Sequence, residues 1–307
     1  MTRAPFLPGY RIGHASDLDR RTGCTVILPP AGTIAAVDVR GGAPGTRETG
    51  VFTPGNLVSE IDGLLFTGGS AFGLAAATGV MAWLRREGVG FRVGEAKVPI
   101  VAGAVIFDLA VGDPEAFPDA AMGQAACRGA SGGPVEIGPV GAGTGATVGK
   151  LLGVGRSSPG GVGASMITLP GGASVAALAV VNSFGDVVDP ETGEVLAGPA
   201  GAAGPIRTAR ALMEESLAPT PSPGGNTTLV CVATTVPFEP GALKRVAIEA
   251  HDGIARAVRP SHSVVDGDVV FALSPGGASP DVPLRLRVGA AAAEAAARAI
   301  VAAVRAR

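Results

Sequence analysis

The chain has 307 residues, with 24 basic and 26 acidic side chains and a net charge of −2, which excludes a strongly basic nucleic-acid-binding or membrane-binding face. Its apolar fraction of 47% excludes disorder despite 48 glycines and 25 prolines, because there is ample surface to bury. Three widely spaced cysteines, Cys24, Cys127 and Cys231, have no metal spacing and fit a reducing, cytoplasmic setting.

In chain order, residues 1–13 lack the apolar core and cleavage site of a signal peptide, and no apolar run reaches spanning length. Residues 23–28 and 33–39 are β-branched runs around Pro29-Pro30-Ala31-Gly32, and a hairpin is expected. Residues 38–48 are too rich in glycine for an element and read as an ordered, charged loop. A short strand at 64–66 leads through Gly68-Gly69-Ser70 into a helix at 71–87. Residues 104–110 read as β. A second Ala-rich helix is expected at 118–130, then a Gly/Thr-rich stretch at 141–149 ending in Lys150. Residues 174–182 form an apolar strand that Ser183-Phe184-Gly185-Asp186 turns, with Val187-Val188 returning. A helix is expected at 206–217 and a linker at 219–225. A strand at 227–235, an amphipathic helix at 240–258, a strand at 268–273 and an Ala-rich helix at 290–306 complete the chain. Helices covering sheets in a layered α/β or α+β sandwich fit this order.

Few residues carry chemistry. At Asn226–Thr227 a flexible Pro/Gly loop enters a strand. A Thr hydroxyl there can attack the preceding carbonyl, and the released α-amine can then act as base for that hydroxyl. An ordinary Gly-rich loop entering a strand is the alternative. Gly68-Gly69-Ser70-Ala71-Phe72-Gly73 lacks dinucleotide-loop spacing, so close helix–sheet packing is expected, although the turn can still face a carboxylate. His14, His251 and His262 lack zinc-site spacing, and His251 suits a surface or helix–helix role. No Gly-x-Ser-x-Gly elbow is present. Lys150 reads by default as a surface lysine, and Asn182 as a strand-end cap or an aimed donor. Asp266-Gly267-Asp268 reads as a turn with glycine at positive φ or as a carboxylate pair.

Taken together, Val37-Asp38-Val39-Arg40-Gly41-Gly42-Ala43-Pro44-Gly45-Thr46-Arg47-Glu48, Leu65-Phe66-Thr67-Gly68-Gly69-Ser70-Ala71-Phe72-Gly73-Leu74, Val105-Ile106-Phe107-Asp108-Leu109, the 141–150 stretch, Asn182-Ser183-Phe184-Gly185-Asp186, Gly225-Asn226-Thr227-Thr228-Leu229 and Asp266-Gly267-Asp268 fall in order along the chain. This pattern resembles the S58 peptidases, the L-aminopeptidase/D-esterases and β-peptidyl aminopeptidases, with the nylon-oligomer hydrolases as relatives. The resemblance implies a four-layer αββα sandwich, one domain over 1–307, self-cut into 1–226 and 227–307. Thr227 is then the nucleophile, with Asn226–Thr227 the cut bond. Lys150, Asn182, Asp266 and Asp268 surround Thr227, and Gly69, Ser70 and Phe107 lie on the substrate side. Some members have Tyr where this chain has Phe107, so no tyrosine hydroxyl serves the oxyanion. No cofactor or metal is implied. The expected substrate is a small peptide, amide or ester, and the expected assembly a homo-oligomer, a tetramer of cleaved units. The rivals are an endo-acting amide-oligomer hydrolase, an acyltransferase like the ornithine acetyltransferases, and an unprocessed ligand-binding homologue.

Overall fold

The computed structural model describes residues 2–201, 204–205, 207–214 and 225–306. The elements that position the site are β1 (Arg11–Asp17), β2 (Thr22–Leu28), β3 (Thr33–Val39), β4 (Gly63–Thr67), α1 (Ala76–Arg86), β5 (Val101–Val105) and α2 (Ala120–Gly129). They continue with β6 (Gly161–Thr168), β7 (Ser174–Asn182), β8 (Thr227–Thr234), α3 (Pro240–Ala257), β9 (Val269–Pro275) and α4 (Val282–Arg305). One five-stranded sheet runs β1-β2-β4-β5 and ends on the two residues Thr46–Arg47; the other runs β6-β7-β8-β9-β3.

The expected four layers are present, and strand alternation builds them. Along β7, Ala176, Leu178 and Val180 face the other sheet, while Val175, Ala177, Ala179 and Val181 face α3 and α4. Leu229, Cys231, Val269 and Phe271 join Ile27, Leu64, Phe66 and Ala104 between the sheets. Cys24, Val26, Leu65 and Val101 turn outward onto α1 and α2. A strand covered on both faces reads as an unbroken apolar run, which is why 174–182 was legible as a buried strand. The small residues of α4 allow close approach: a Cβ on Gly163 of β6 would lie 2.0 Å from the Ala299 carbonyl oxygen.

Several expectations are corrected. Strands β2 and β3 do not form a hairpin. Strand β2 pairs with β1 and β4, whereas β3 crosses to the other sheet and pairs with β9. Each has one face that needs the inter-sheet core, so they lie across it rather than side by side. Strand β1 escaped notice because its apolar content is low. Asp186–Val188 does not return along β7 but pairs with Val195–Ala197 and Val258–Arg259. Part of the 38–48 loop, Thr46–Arg47, is an edge strand on β5. Before α1, Gly69 and Ser70 adopt left-handed φ of 77° and 52°, and Ser70–Ala75 is a 3-10 stretch. Helix α4 starts before residue 290 because Asp281 caps it, accepting from the Leu284 amide at 3.0 Å, with Pro283 in its first turn. The helix expected at 206–217 is described as Thr208–Met213; residues 206 and 215–217, and 219–224 of the expected linker, lie outside the described residues. Among the described residues no helix is long and apolar enough to cross a membrane.

Candidate active site

Strand register assembles the site. Antiparallel pairing of β7 with β8 sets Asn182 directly opposite Thr227. Parallel pairing of β8 with β9 extends backward as a bridge between Asn226 and Asp266. The end of β7 and the starts of β8 and β9 therefore meet at one edge, and the 141–150 stretch delivers Lys150 beneath them. Thr227 is 3% exposed, Lys150 4% and Asn182 0%. Lys150 is thus no surface lysine.

The chain is continuous through Asn226–Thr227, and Thr227 Oγ1 donates to the Asn226 carbonyl oxygen. The backbone N–H of Gly267 donates to that same oxygen at 2.8 Å. Lys150 Nζ donates to the Asn182 carbonyl at 2.7 Å, to Asn182 Oδ1 at 2.9 Å and to the Gly225 carbonyl at 3.1 Å. Three acceptors match the three donors of an ammonium, and a neutral amine has only two. Asn182 Oδ1 also accepts from the Thr147 amide at 2.9 Å. That fixes the side-chain amide so that Nδ2 faces the Phe107 carbonyl at 3.1 Å and the Gly225 carbonyl at 3.3 Å. Asn182 is therefore an aimed donor, but its targets are the Phe107 and Gly225 carbonyls rather than that of Asn226.

The two aspartates precede β9 and hold different partners. Asp266 accepts from the Phe184 amide at 3.2 Å, the Ser263 amide at 3.1 Å and the Ser263 hydroxyl. Asp268 accepts from the Thr228 amide at 2.6 Å and, on its other oxygen, from the His262 amide at 2.9 Å and His262 Nδ1 at 2.7 Å. Burial, then the charge of Asp268, push Asp266 up to about 6. Burial brings Lys150 down to about 7, against the opposing pull of Asp266 and Asp108. Gly267 has no positive φ, so it is not the expected turn glycine. Its missing side chain leaves room instead: a Cβ there would lie 2.8 Å from both Thr227 Oγ1 and the Ala43 carbonyl oxygen.

Phe107 meets the site through its backbone. Gly69 and Ser70 stand one residue further out: the Gly69 amide donates to Asp108 Oδ1 at 2.7 Å and the Ser70 amide to the Ile106 carbonyl at 2.9 Å. The carboxylate that the Gly69 turn faces is thus the chain's own Asp108, which also accepts from Thr22 Oγ1 at 2.8 Å. Sequence reading missed Asp108, Gly267 as an amide donor, and His262. The first two sit inside quoted motifs, but nothing in a sequence says which backbone N–H will point at Asn226. His251 is fully buried, so it has no surface role. Among the described residues no group of three or more His, Cys, Asp or Glu is arranged to hold a metal ion.

Comparison with known proteins gives the family and the fold. An uncharacterized aminopeptidase of Mycobacterium tuberculosis (strain ATCC 25618 / H37Rv) is 45% identical over 322 residues, covering 96% of this chain and 91% of the relative. A 6-aminohexanoate-oligomer endohydrolase of Paenarthrobacter ureafaciens is 34% identical over 278 residues, covering 89% of this chain and 75% of that protein. The solved L-aminopeptidase D-Ala-esterase/amidase of Ochrobactrum anthropi, described as a variant of the Ntn-hydrolase fold, superposes with a TM-score of 0.75 at 20% identity, covering 98% of this chain and 85% of that one. The profile of Peptidase family S58 matches residues 7–307, and the chain belongs to that family of hydrolases.

Proposed function

We propose that Thr227 is the nucleophile of an aminopeptidase that first cuts its own Asn226–Thr227 bond and then hydrolyses peptides, amides or esters through an acyl-enzyme on the same hydroxyl. One observation carries this reading: the Thr227 hydroxyl and the Gly267 N–H converge on the Asn226 carbonyl oxygen inside a buried pocket of charge. In the self-cut, Oγ1 adds to the Asn226 carbonyl carbon, its proton passes to the Thr227 nitrogen, the C–N bond breaks, and that nitrogen leaves as a free amine. Water then splits the resulting ester, leaving Asn226 as a carboxylate. The Gly267 N–H is placed to stabilise the oxyanion, and the buried Lys150 charge lowers the cost of negative charge nearby. In turnover the new α-amine, with an ordinary pKa of about 7.7–8.0, takes the hydroxyl proton near neutral pH. Departure of Gly225 frees Lys150 Nζ and Asn182 Nδ2 for the substrate carbonyl.

The test is the intact mass of purified protein. Two fragments are expected, of 226 residues and 307 − 226 = 81 residues, the smaller beginning Thr-Thr-Leu-Val-Cys. A single intact chain that is active without cleavage would sink the mechanism.

A second reading, endo-acting amide hydrolysis, is favoured by a specific contact. Lys150 and Asn182 hold the carbonyl of Gly225, one residue beyond the acyl residue Asn226, as a longer substrate would require. Comparing an aminoacyl p-nitroanilide with its N-acetylated form separates the two. Strong preference for the free amine supports the aminopeptidase, and equal hydrolysis supports the endo-acting enzyme. The assembly in this reading is a homo-oligomer, a tetramer of cleaved units, supported by exposed large apolar side chains such as Phe72 and Leu286. A cytoplasmic setting is supported by cysteines that are all free and buried.

A further inference from the structure

Beside Thr227 lies a row of groups that the reaction above does not use. His262 holds Asp268 Oδ2 twice, through its backbone N–H at 2.9 Å and through Nδ1 at 2.7 Å. The other oxygen, Oδ1, accepts from the Thr228 amide at 2.6 Å, one residue past Thr227. Making both contacts puts His262 at a left-handed φ of 54°, a conformation that is costly for a residue with a β-carbon and persists only where its surroundings impose it. The His262 ring meets His251 edge-on, with ring centroids 4.8 Å apart and an interplanar angle of 74°. His251, on α3, is fully buried. Its Nε2 donates to the Asp38 carbonyl at 3.1 Å and lies 3.4 Å from Asp38 Oδ2. Lys244, also on α3, and Arg40 hold the Asp38 carboxylate at 2.7 and 2.8 Å. The row Asp38–His251–His262–Asp268–Thr228 thus runs from a half-buried ion cluster to the start of the nucleophile strand.

We infer that His262 is a positioning residue for the hydrolytic reaction: by clasping Asp268 it fixes the Thr228 amide, and with it the direction of Thr227 Oγ1, while His251 braces its ring. The inference rests on Thr227 being the nucleophile. Without the ring donor, Oδ2 keeps a single partner, the His262 backbone N–H, and a buried carboxylate held at one point on that side can swing about it to find another donor. Locking Oδ2 leaves Oδ1 one position. Partners of this kind matter because a shift of about 1 Å at a reacting group costs on the order of 100-fold.

The test compares His262→Asn with His262→Gly. Both tolerate a left-handed φ, but only Asn keeps an N–H donor near the place of Nδ1. Self-cleaved wild-type and variant proteins are measured for kcat and KM on an aminoacyl p-nitroanilide, and for hydrogen exchange at the Thr228 amide. His262→Gly is expected to lower kcat by roughly 10- to 100-fold with little change in KM, and to release Thr228 protection while mid-strand Val230 stays protected. His262→Asn is expected to recover most of kcat and the Thr228 protection. If the two variants behave alike, the donor contributes nothing and the inference is overturned. Should His262→Gly not fold, His262→Asp takes its place in the same comparison, since it too is tolerated at a left-handed φ and its carboxylate has no N–H to give. Thr227→Ala, run in parallel, separates the two failures: activity retained there removes the Thr227 reading, whatever the His262 variants do.

Discussion

Replacing Gly267 with alanine probes the nucleophile's surroundings without touching a reacting side chain. The backbone there has no positive φ, so alanine meets no conformational penalty. Its methyl would lie 2.8 Å from Thr227 Oγ1, 2.8 Å from the Ala43 carbonyl oxygen and 3.3 Å from Pro44 Cα. Favourable contact distances are about 3.5 Å or more, so roughly 0.7 Å must be recovered at two contacts at once. Ala43 is tied down, since its amide donates to the Asp266 carbonyl at 2.8 Å. Relief therefore comes from the Thr227 hydroxyl turning away, the Gly267 amide drawing back from Asn226, or both. Crowding of this kind costs about 1–3 kcal/mol of stability, which leaves most domains folded. Losing a single oxyanion donor costs about 100- to 1000-fold in rate. Gly267→Ala should thus fold, melt a few degrees lower and cut itself on the order of 100-fold more slowly. The assay follows loss of the intact 307-residue chain by mass, with a thermal melt as the folding control. Cutting at the wild-type rate in a folded variant would refute the placement of both the hydroxyl and the amide.

Other perturbations test the remaining groups. Thr227→Ala should abolish self-cleavage and hydrolysis together, while Thr227→Ser keeps some of each; fragment masses and turnover decide, and cutting at 226–227 in the alanine variant would end the self-attack mechanism. With Gly225 gone, Nδ2 is expected to turn to the substrate carbonyl, so Asn182→Ala should depress kcat far more than it raises KM; a change in KM alone would leave Asn182 the binding role that its contact with the Gly225 carbonyl suggests. Lys150 sits at about 7, below its usual 10.5, so in the Thr227→Ala background the unfolded chain binds the extra proton between those values. Stability should therefore rise as pH increases from about 7 toward 10.5, and this increment should disappear in Lys150→Met; identical pH–melting curves would show that Lys150 is not depressed.

Strand β8 and the Asn226–Thr227 junction were legible because a Pro/Gly loop running into a β-branched stretch is local information. So were β7, α3 and the layered class, since a doubly covered strand and an amphipathic helix each have their own periodicity. Chain order along the motifs was enough to indicate the family. Tertiary structure alone decided that β2 and β3 part to different sheets, because their pairing depends on which apolar faces are already occupied. It alone buried Lys150, whose glycine-rich approach looks the same on a surface as under a sheet. It also gave Gly267 its place: a backbone amide has no sequence identity, and only the bridge between Asn226 and Asp266 turns it toward the Asn226 carbonyl. The clasp of His262 on Asp268 was hidden for the same reason. Its value depends on where the Thr228 amide lies, 40 residues away in the chain, and that separation is closed only by folding.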